Sequence, residues 1–215
     1  MTTTRRQVLE GISATALTAA ALAGWTSGAR AQTVDLSGLM TAGPLGEKEL
    51  GDANAPVTII EYASMTCGHC ANFHATVYPA LKEKYIDTGK VRFIFREFPL
   101  DPLSTAVFML ARCAPEDKYF DFVDLLFSQQ NAWLSPPDND RVAALLNISR
   151  QVGFTQESFE ACLTNQKLLD GVNWVKNRGS NDFGVEGTPS FFVNGEMMRG
   201  ARDINAFEEI INKNL

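Results

Sequence analysis

The sequence predicts an α/β protein in which a block of helices interrupts a small β-sheet, and three observations carry this prediction. Apolar, strand-like runs at residues 57–62 and 91–95 flank a helical segment and form a β-α-β unit. Every periodic stretch between residue 103 and about residue 183 is helical. Strand signals return only near the C-terminus, on either side of an Asn194-Gly195 turn.

Residues 1–31 have the features of an export signal. Arg5 and Arg6 precede apolar residues, a weakly apolar run follows to about Trp25, and Ala29-Arg30-Ala31 fits the small-residue cleavage pattern. This run is too weakly apolar to predict a membrane span. An uncleaved anchor is the alternative, and the Ala-x-Ala cleavage site makes it less favoured. The weakly apolar run and Arg30 just before the cleavage site favour the twin-arginine route over the general secretory route. We therefore expect the mature protein in the periplasm or another extracytoplasmic space.

The charge of the chain argues against some classes of partner. Its 215 residues include 19 basic and 25 acidic side chains, which gives a net charge of −6. Cleavage after Ala31 would remove three arginines and one glutamate and leave 184 residues with a net charge of −8. An acidic protein without a basic stripe is a poor candidate for binding nucleic acid or anionic membranes.

The first part of the mature chain contains the β-α-β unit. Residues 32–56 are poor in aromatic side chains and end in a turn, so we expect a loosely structured lead-in segment. The first part of the sheet domain spans residues 57–102, and its helix begins at Cys67, runs to about Asp87 and is interrupted by Pro79.

The second half of the chain inserts the helices and then completes the sheet. The helical insertion spans residues 103–183, with breaks expected at Pro115, at Pro136-Pro137 and near Gly153. Residues 184–215 form the second part of the sheet domain. It consists of a hairpin with strands at 190–193 and 196–199 and a helix from Asp203 to Asn212.

The motif Cys67-Gly68-His69-Cys70 begins the helix that follows the first strand. A helix N-terminus presents unpaired N–H groups and the positive end of the helix dipole, which lower the pKa of a thiol placed there. Cys70 faces the same side and can close a small disulfide ring. His69 can add a positive charge or a hydrogen-bond donor. The pattern therefore favours redox chemistry.

Two other uses of a Cys-x-x-Cys motif remain open from the residues alone. A structural zinc site needs four ligands, and the sequence offers no second close pair of cysteines or histidines. A plain structural disulfide is the other alternative. The position between a strand and a helix favours a redox motif over both.

With these elements in place, the sequence resembles the DsbA family of thiol:disulfide oxidoreductases in the thioredoxin superfamily. The resemblance covers the chain from about Val57 onwards and implies a thioredoxin fold with an inserted helical domain. It implies that Cys67 attacks, that Cys70 resolves, and that Pro189 is a cis proline facing the disulfide. The Gly-His pair inside the motif departs from the Pro-His pair of many DsbA proteins, which suggests a less oxidising disulfide.

The resemblance also implies roles for two neighbouring residues. Glu61, on the first strand, is placed like the acid that lies beneath the active site of thioredoxin-like proteins and takes a proton from the second cysteine. A partly exposed carboxylate at the sheet edge is the alternative. Thr188 is expected to offer its backbone to a substrate strand, unless Gly187-Thr188-Pro189 is an ordinary turn. The stretch from Phe183 to Arg199 is expected to give this site a hydrophobic rim.

The remaining cysteines, Cys113 and Cys162, both lie in the helical insertion. Some DsbA-like proteins carry an additional disulfide there, so the resemblance implies a structural disulfide between them. Two buried free cysteines are the alternative, although free thiols are uncommon in exported proteins.

The resemblance implies an enzyme that introduces disulfide bonds into reduced exported polypeptides. Such an enzyme requires no cofactor or metal and acts as a monomer. The resemblance also implies that a DsbB-like membrane quinone oxidoreductase reoxidises the enzyme. A disulfide isomerase or a reductase could use the same chemistry. A copper-binding chaperone that uses Cys67, His69 and Cys70 is a further alternative from a different class.

Overall fold

The fold is built on one five-stranded mixed sheet. The computed structural model describes residues 34, 36–137 and 139–215, so the predicted export signal lies outside the described residues. The strands are β1 (Lys48–Leu50), β2 (Val57–Ala63), β3 (Val91–Glu97), β4 (Ser190–Val193) and β5 (Glu196–Arg199). Their order in the sheet is β1-β3-β2-β4-β5.

The pairing of the strands determines which loops meet at one edge of the sheet. Strands β2 and β3 are parallel, from Val57 opposite Val91 to Ala63 opposite Glu97. Strand β4 runs antiparallel to β2, and Ser190 at its start lies opposite Tyr62 near the end of β2. The segment that leaves β2 and the segment that enters β4 therefore lie side by side.

Helices fill the space between the strands and cover the sheet. Within the described residues they are α1 (Leu36–Leu39), α2 (Gly68–Thr76), α3 (Tyr78–Leu81), α4 (Pro102–Cys113), α5 (Tyr119–Ser128), α6 (Gln130–Leu134), α7 (Arg141–Arg150), α8 (Gln156–Leu163), α9 (Gln166–Phe183) and α10 (Ile204–Asn214). A π-helical turn at Lys82–Ile86 and a 3₁₀ turn at Glu116–Lys118 complete the set. In the part of the chain described here, no helix is both long and apolar enough to cross a membrane.

The helix expected to be interrupted at Pro79 in fact divides two residues earlier. Helix α2 ends at Thr76, and Pro79 lies in the first turn of α3, where the missing proline N–H has no helical partner to lose. The hairpin agrees with the sequence pattern. Asn194 and Gly195 have φ angles of 46° and 87°, the left-handed conformation that a tight two-residue hairpin turn requires.

The lead-in segment is more ordered than the sequence suggested. It contains α1 and the edge strand β1, which pairs antiparallel with β3. Ion pairs hold it in place, because Glu49 and Glu47 bind Arg92 and Arg96 of β3. Residues 48–50 read Lys-Glu-Leu and lack the β-branched and aromatic side chains that mark strands.

Two apolar layers cover the two faces of the sheet. Neighbouring strand residues point to opposite faces, so Ile59 belongs to the layer beneath α2 and the insertion, and Ile60 belongs to the layer near α9. Both faces are covered, which explains why apolar side chains occupy neighbouring positions of β2, such as Ile59 and Ile60, instead of alternating strictly with polar ones.

Candidate active site

The Cys67-Gly68-His69-Cys70 motif lies at the edge of the sheet where β2 ends. Cys67 has extended backbone angles and is the N-cap residue of α2, and its side chain makes no capping hydrogen bond. The first N–H groups of the helix are therefore free to bind the Cys67 sulfur. Both cysteines are free thiols, with Cys67 partly exposed and Cys70 fully buried.

The surroundings of Cys67 stabilise its thiolate. Its pKa is lowered from 9.0 to about 5, chiefly by a hydrogen bond from the Cys70 thiol. Partial burial opposes this shift, while the Thr188 side chain and the backbone N–H groups of Cys70 and His69 add to it. His69 therefore acts through its backbone, and its side chain is exposed. At neutral pH Cys67 is a thiolate.

Cys70 has the opposite character. Burial is the largest cause that raises its pKa, followed by the hydrogen bond with Cys67 and the charge of Glu61. Cys70 therefore stays protonated whenever the pair is reduced. The two sulfurs of the motif thus differ in both accessibility and charge.

The Thr188–Pro189 segment lies directly beside Cys67. The peptide bond between these residues is cis. The Sγ atom of Cys67 lies 3.4 Å from the Thr188 carbonyl oxygen and donates to it in the thiol form. The Thr188 hydroxyl is buried and has no other hydrogen-bond partner among the described residues, so it is available to donate to the thiolate.

Glu61 is fully buried in β2 and has an ion partner that the sequence analysis overlooked. Its Oε2 atom lies 3.0 Å from Nε2 of His74, and Nδ1 of His74 lies 3.4 Å from Oδ1 of Asp124. Burial alone lowers the pKa of His74, but the charge of Glu61 and contacts with Asp124 and Glu61 raise it to about 9. The alternative of a partly exposed edge carboxylate is therefore wrong.

His74 belongs to no motif in the sequence. One signal could have identified it: His74 follows Cys70 by four positions, so both side chains lie on the buried face of α2. A histidine on that face, directly over a strand that carries a carboxylate, is placed to form an ion pair.

The helical insertion holds the loop that carries Cys67. The buried side chain of Gln130, in α6, donates from Nε2 to the carbonyl oxygens of Met65 at 2.8 Å and Cys67 at 3.1 Å. Ser104 accepts a hydrogen bond from the Met65 N–H at 3.0 Å. Asp101 caps α4 and also accepts from the Thr66 hydroxyl at 2.5 Å. No local pattern in the sequence identifies Gln130 as a contact of this loop.

Cys113 and Cys162 form a disulfide, so the alternative of two free thiols does not apply. The bond joins the end of α4 to α8, with a Cα–Cα distance of 6.2 Å, and lies entirely within the helical insertion. Among the described residues, Cys113 and Cys162 make no hydrogen bond to Cys67 or Cys70 and do not shift the pKa of either thiol.

The predicted hydrophobic rim between Phe183 and Arg199 is wrong. The large apolar side chains Phe183, Phe191 and Phe192 are buried in the two core layers. Leu100 is exposed, and its N–H donates a hydrogen bond to the hydroxyl of Ser64, three residues before Cys67. Among the described residues, no group of three or more His, Cys, Asp or Glu side chains is arranged to hold a metal ion.

Comparisons with known proteins agree with this geometry. A family model described as thioredoxin matches residues 46–213. A relative from Rickettsia bellii, which carries the name of a protein-disulfide oxidoreductase, is 34% identical over 76% of this chain. The match covers 62% of the Rickettsia protein, and for the next two curated relatives the chain spans 54% and 59% of their length.

Solved structures show a similar arrangement. The crystal structure of Wolbachia pipientis alpha-DsbA1 has a TM-score of 0.74 and 34% identity, with 82% of this chain and 94% of that chain covered. The structure of oxidised BdbD from Bacillus subtilis, at 20% identity, has a TM-score of 0.68 and covers 85% and 95% of the two chains. The latter likeness concerns the fold alone. The predicted fold class is thus confirmed, and the chain belongs to the thioredoxin superfamily and, within it, to the DsbA-like proteins.

Proposed function

We propose that this protein is a dithiol:disulfide oxidoreductase that introduces disulfide bonds into exported polypeptides. The observation that carries this proposal is the pairing of an accessible, low-pKa Cys67 with a buried, high-pKa Cys70. Stabilising the reduced thiolate makes the corresponding disulfide a stronger oxidant, because the reduced form gains free energy that the oxidised form lacks.

The exchange proceeds in two steps. A substrate thiolate attacks Sγ of Cys67, the accessible sulfur, and the Cys67–Cys70 bond breaks with Cys70 as the leaving group. A second substrate thiolate then attacks the substrate sulfur of the mixed disulfide. Cys67 leaves as a thiolate, and its pKa of about 5 makes it a good leaving group. The products are an oxidised substrate and the reduced Cys67/Cys70 pair.

The other site residues are given supporting roles. Thr188 and Pro189 would present their backbone to an extended substrate segment, because Thr188 adjoins both Cys67 and the start of β4. Pro189 lacks an N–H, so strand pairing would use Thr188. Glu61 would exchange a proton with Cys70, and the Cys113–Cys162 disulfide would stabilise the insertion without taking part in the exchange.

The cellular setting is also part of the proposal. The export signal predicted for residues 1–31 supports an extracytoplasmic location, where disulfide formation is favoured. A DsbB-like quinone oxidoreductase would reoxidise the reduced pair, and the protein would act as a monomer.

Two assays test this function against its alternatives. The oxidised protein is given a reduced multi-cysteine substrate and, separately, a scrambled one, and the reduction potential is measured against glutathione. Rapid oxidation with slow unscrambling is expected. Efficient unscrambling with poor oxidation would indicate an isomerase, and a potential near about −270 mV would indicate a reductase. Stoichiometric copper in protein purified in the reduced state would indicate a metal chaperone.

A further inference from the structure

His74 is a buried titratable side chain that the proposed exchange does not use. It lies one turn after Cys70 on the same face of α2 and forms an ion pair with Glu61. We propose that Asp124 and His74 form a proton relay that acts through Glu61 on Cys70. The inference rests on the proposed function, since it supplies the proton that disulfide opening requires.

The need for a relay follows from the burial of Cys70. When the disulfide opens, Cys70 leaves as a thiolate in a position with no exposed surface. Its surroundings strongly disfavour that charge, so a proton must reach the sulfur. The bound substrate occupies Cys67, the more exposed of the two cysteines, at that moment. A route from another side of the molecule is therefore required.

The contacts of His74 provide the outer part of such a route, and the charge of Glu61 acts directly on Cys70. Nε2 of His74 lies 3.0 Å from Glu61, and Nδ1 lies 3.4 Å from Asp124, whose side chain is 50% exposed. The imidazole ring is held by stacking on Phe127, with the ring centroids 4.4 Å apart. A cavity of about 480 Å³ opens beside His74, and its lining includes Asp124 but neither Cys67 nor Thr188.

The charges around His74 keep a proton available. The titratable groups that face it are Glu61 from β2, Asp124 from α5 and Tyr78 from α3. The two carboxylates raise the pKa of His74 to about 9, so the ring is an imidazolium at neutral pH. Burial raises the pKa of Tyr78, which therefore stays neutral, and Lys82 and Asp121 also line the cavity.

The transfer balances over one redox cycle. As the sulfur–sulfur bond breaks, Cys70 keeps the electron pair. The proton on Nε2 of His74 passes to Glu61 and then to Cys70, and the ring takes up a replacement proton from solvent through the cavity, because its pKa is about 9 in the reduced protein. When the disulfide closes again, Cys70 gives its proton through Glu61 to Nε2 while the ring releases its Nδ1 proton to solvent. The Asp124 carboxylate lies 3.4 Å from Nδ1 and lines the cavity through which this exchange takes place.

The test measures how fast dithiothreitol opens the Cys67–Cys70 disulfide of the full chain in single-turnover experiments between pH 6 and pH 9. His74→Ala should slow opening about a hundredfold at pH 7, the lower end of the effects of lost proton transfer. Added imidazole should restore the rate in His74→Ala, because it can enter the adjacent cavity, and should not accelerate the wild type.

Asp124→Asn should slow opening less than His74→Ala does. Asp121→Asn is the matched control, because Asp121 lies on the same helix and lines the same cavity, and its opening rate should match that of the wild type.

Wild-type rates and pH profiles in both His74→Ala and Asp124→Asn would overturn the relay, as would a slow His74→Ala variant that imidazole does not rescue. If His74→Ala does not fold, Asp124→Asn decides the question, because its side chain is half exposed. Dithiothreitol opening needs no protein substrate. If the protein oxidises substrates but the dithiothreitol assay contradicts the relay, only the relay is rejected. If imidazole rescues His74→Ala but the protein oxidises no substrate, only the proposed function is rejected.

Discussion

The Sγ atom of Cys67 lies 3.4 Å from the carbonyl oxygen of Thr188, a residue 121 positions later in the chain. The antiparallel pairing of β4 with β2 creates this contact, because it places the segment before β4 beside the end of β2. The Thr188 hydroxyl is buried next to the same sulfur. The pKa of the Cys67 thiol is therefore lowered in part by a residue that is distant in sequence and adjacent in the fold.

Replacing Thr188 by Val should raise the pKa of Cys67, because the thiolate loses the hydroxyl that donates to it. The measurement is a titration of thiolate ultraviolet absorbance in the reduced protein. Thr76→Val is the matched control, since the Thr76 hydroxyl is exposed and bonds only to the backbone of its own helix. An unchanged titration in Thr188→Val would show that backbone N–H groups and Cys70 account for the whole shift.

Single replacements of the two cysteines should have different consequences. Cys67→Ser should abolish exchange, since the accessible sulfur is lost. Cys70→Ser should leave Cys67 able to form mixed disulfides that nothing inside the protein resolves. Non-reducing electrophoresis with a substrate that contains a disulfide detects these covalent complexes, because the Cys67 thiolate attacks that disulfide and one substrate sulfur leaves as a thiolate. Equal trapping by both variants would contradict the assignment of attacking and resolving roles.

Stability of the oxidised protein should fall as the pH rises from about 6.5 to about 9. The pKa of His74 is higher in the folded state than its usual 6.5, so folding binds a proton in this window and loses that stabilisation as pH rises through the folded value. The loss should reach roughly 3 kcal/mol and should be absent in His74→Gln. Urea unfolding at several pH values measures it.

The oxidised state is needed for this experiment. In the reduced protein the lowered pKa of Cys67 has the opposite effect, because the unfolded thiol binds a proton that the folded thiolate does not. That contribution to stability is lost as pH falls through about 5 and grows as pH rises towards 9. The reduced protein should therefore gain stability relative to the oxidised protein across this range.

Gln130→Leu should destabilise the protein by about 1–3 kcal/mol, because the carbonyls of Met65 and Cys67 lose a buried donor. The rate of mixed-disulfide formation should also fall, since the loop that positions Cys67 is released. Gln156→Leu, at an exposed position in α8, is the control for the change of side chain. A stability loss without any change in rate would confine Gln130 to a structural role.

Removing the second disulfide with the paired variant Cys113→Ser and Cys162→Ser should lower the free energy of unfolding. The loop-closure model gives roughly 4 kcal/mol for the 49-residue separation, which is an upper value because the unfolded chain retains some structure. Turnover below the melting temperature should be preserved. A loss of turnover in the folded variant would make this pair part of the exchange.

Local patterns predicted those parts of the fold and site that depend on neighbouring residues. The apolar runs of β2 and β3, the Asn194-Gly195 turn and the position of Cys67 at a helix start could all be read from short segments. Strand β1 could not, because Lys-Glu-Leu carries no strand signal and is fixed by ion pairs with β3.

The ion partner of Glu61 and the donor to the Cys67 carbonyl were missed for a similar reason. His74 and Gln130 reach the site only through tertiary packing, 13 and 63 positions from the residues they contact. Sequence periodicity reports which face of a helix is buried, but it does not report which buried polar groups will meet across that face.

The two hydrogen bonds from Gln130 determine what the protein would lose if the helical insertion were removed. Excising the helical insertion would leave a continuous sheet domain that still contains Cys67, Cys70 and Pro189. It would also remove the donor to two carbonyls at the turn before the reactive helix, together with the hydroxyl of Ser104 that binds the Met65 N–H. The insertion therefore supplies part of the support of the Cys67 loop, and a shortened protein would need a replacement scaffold at that turn to keep the geometry of the parent.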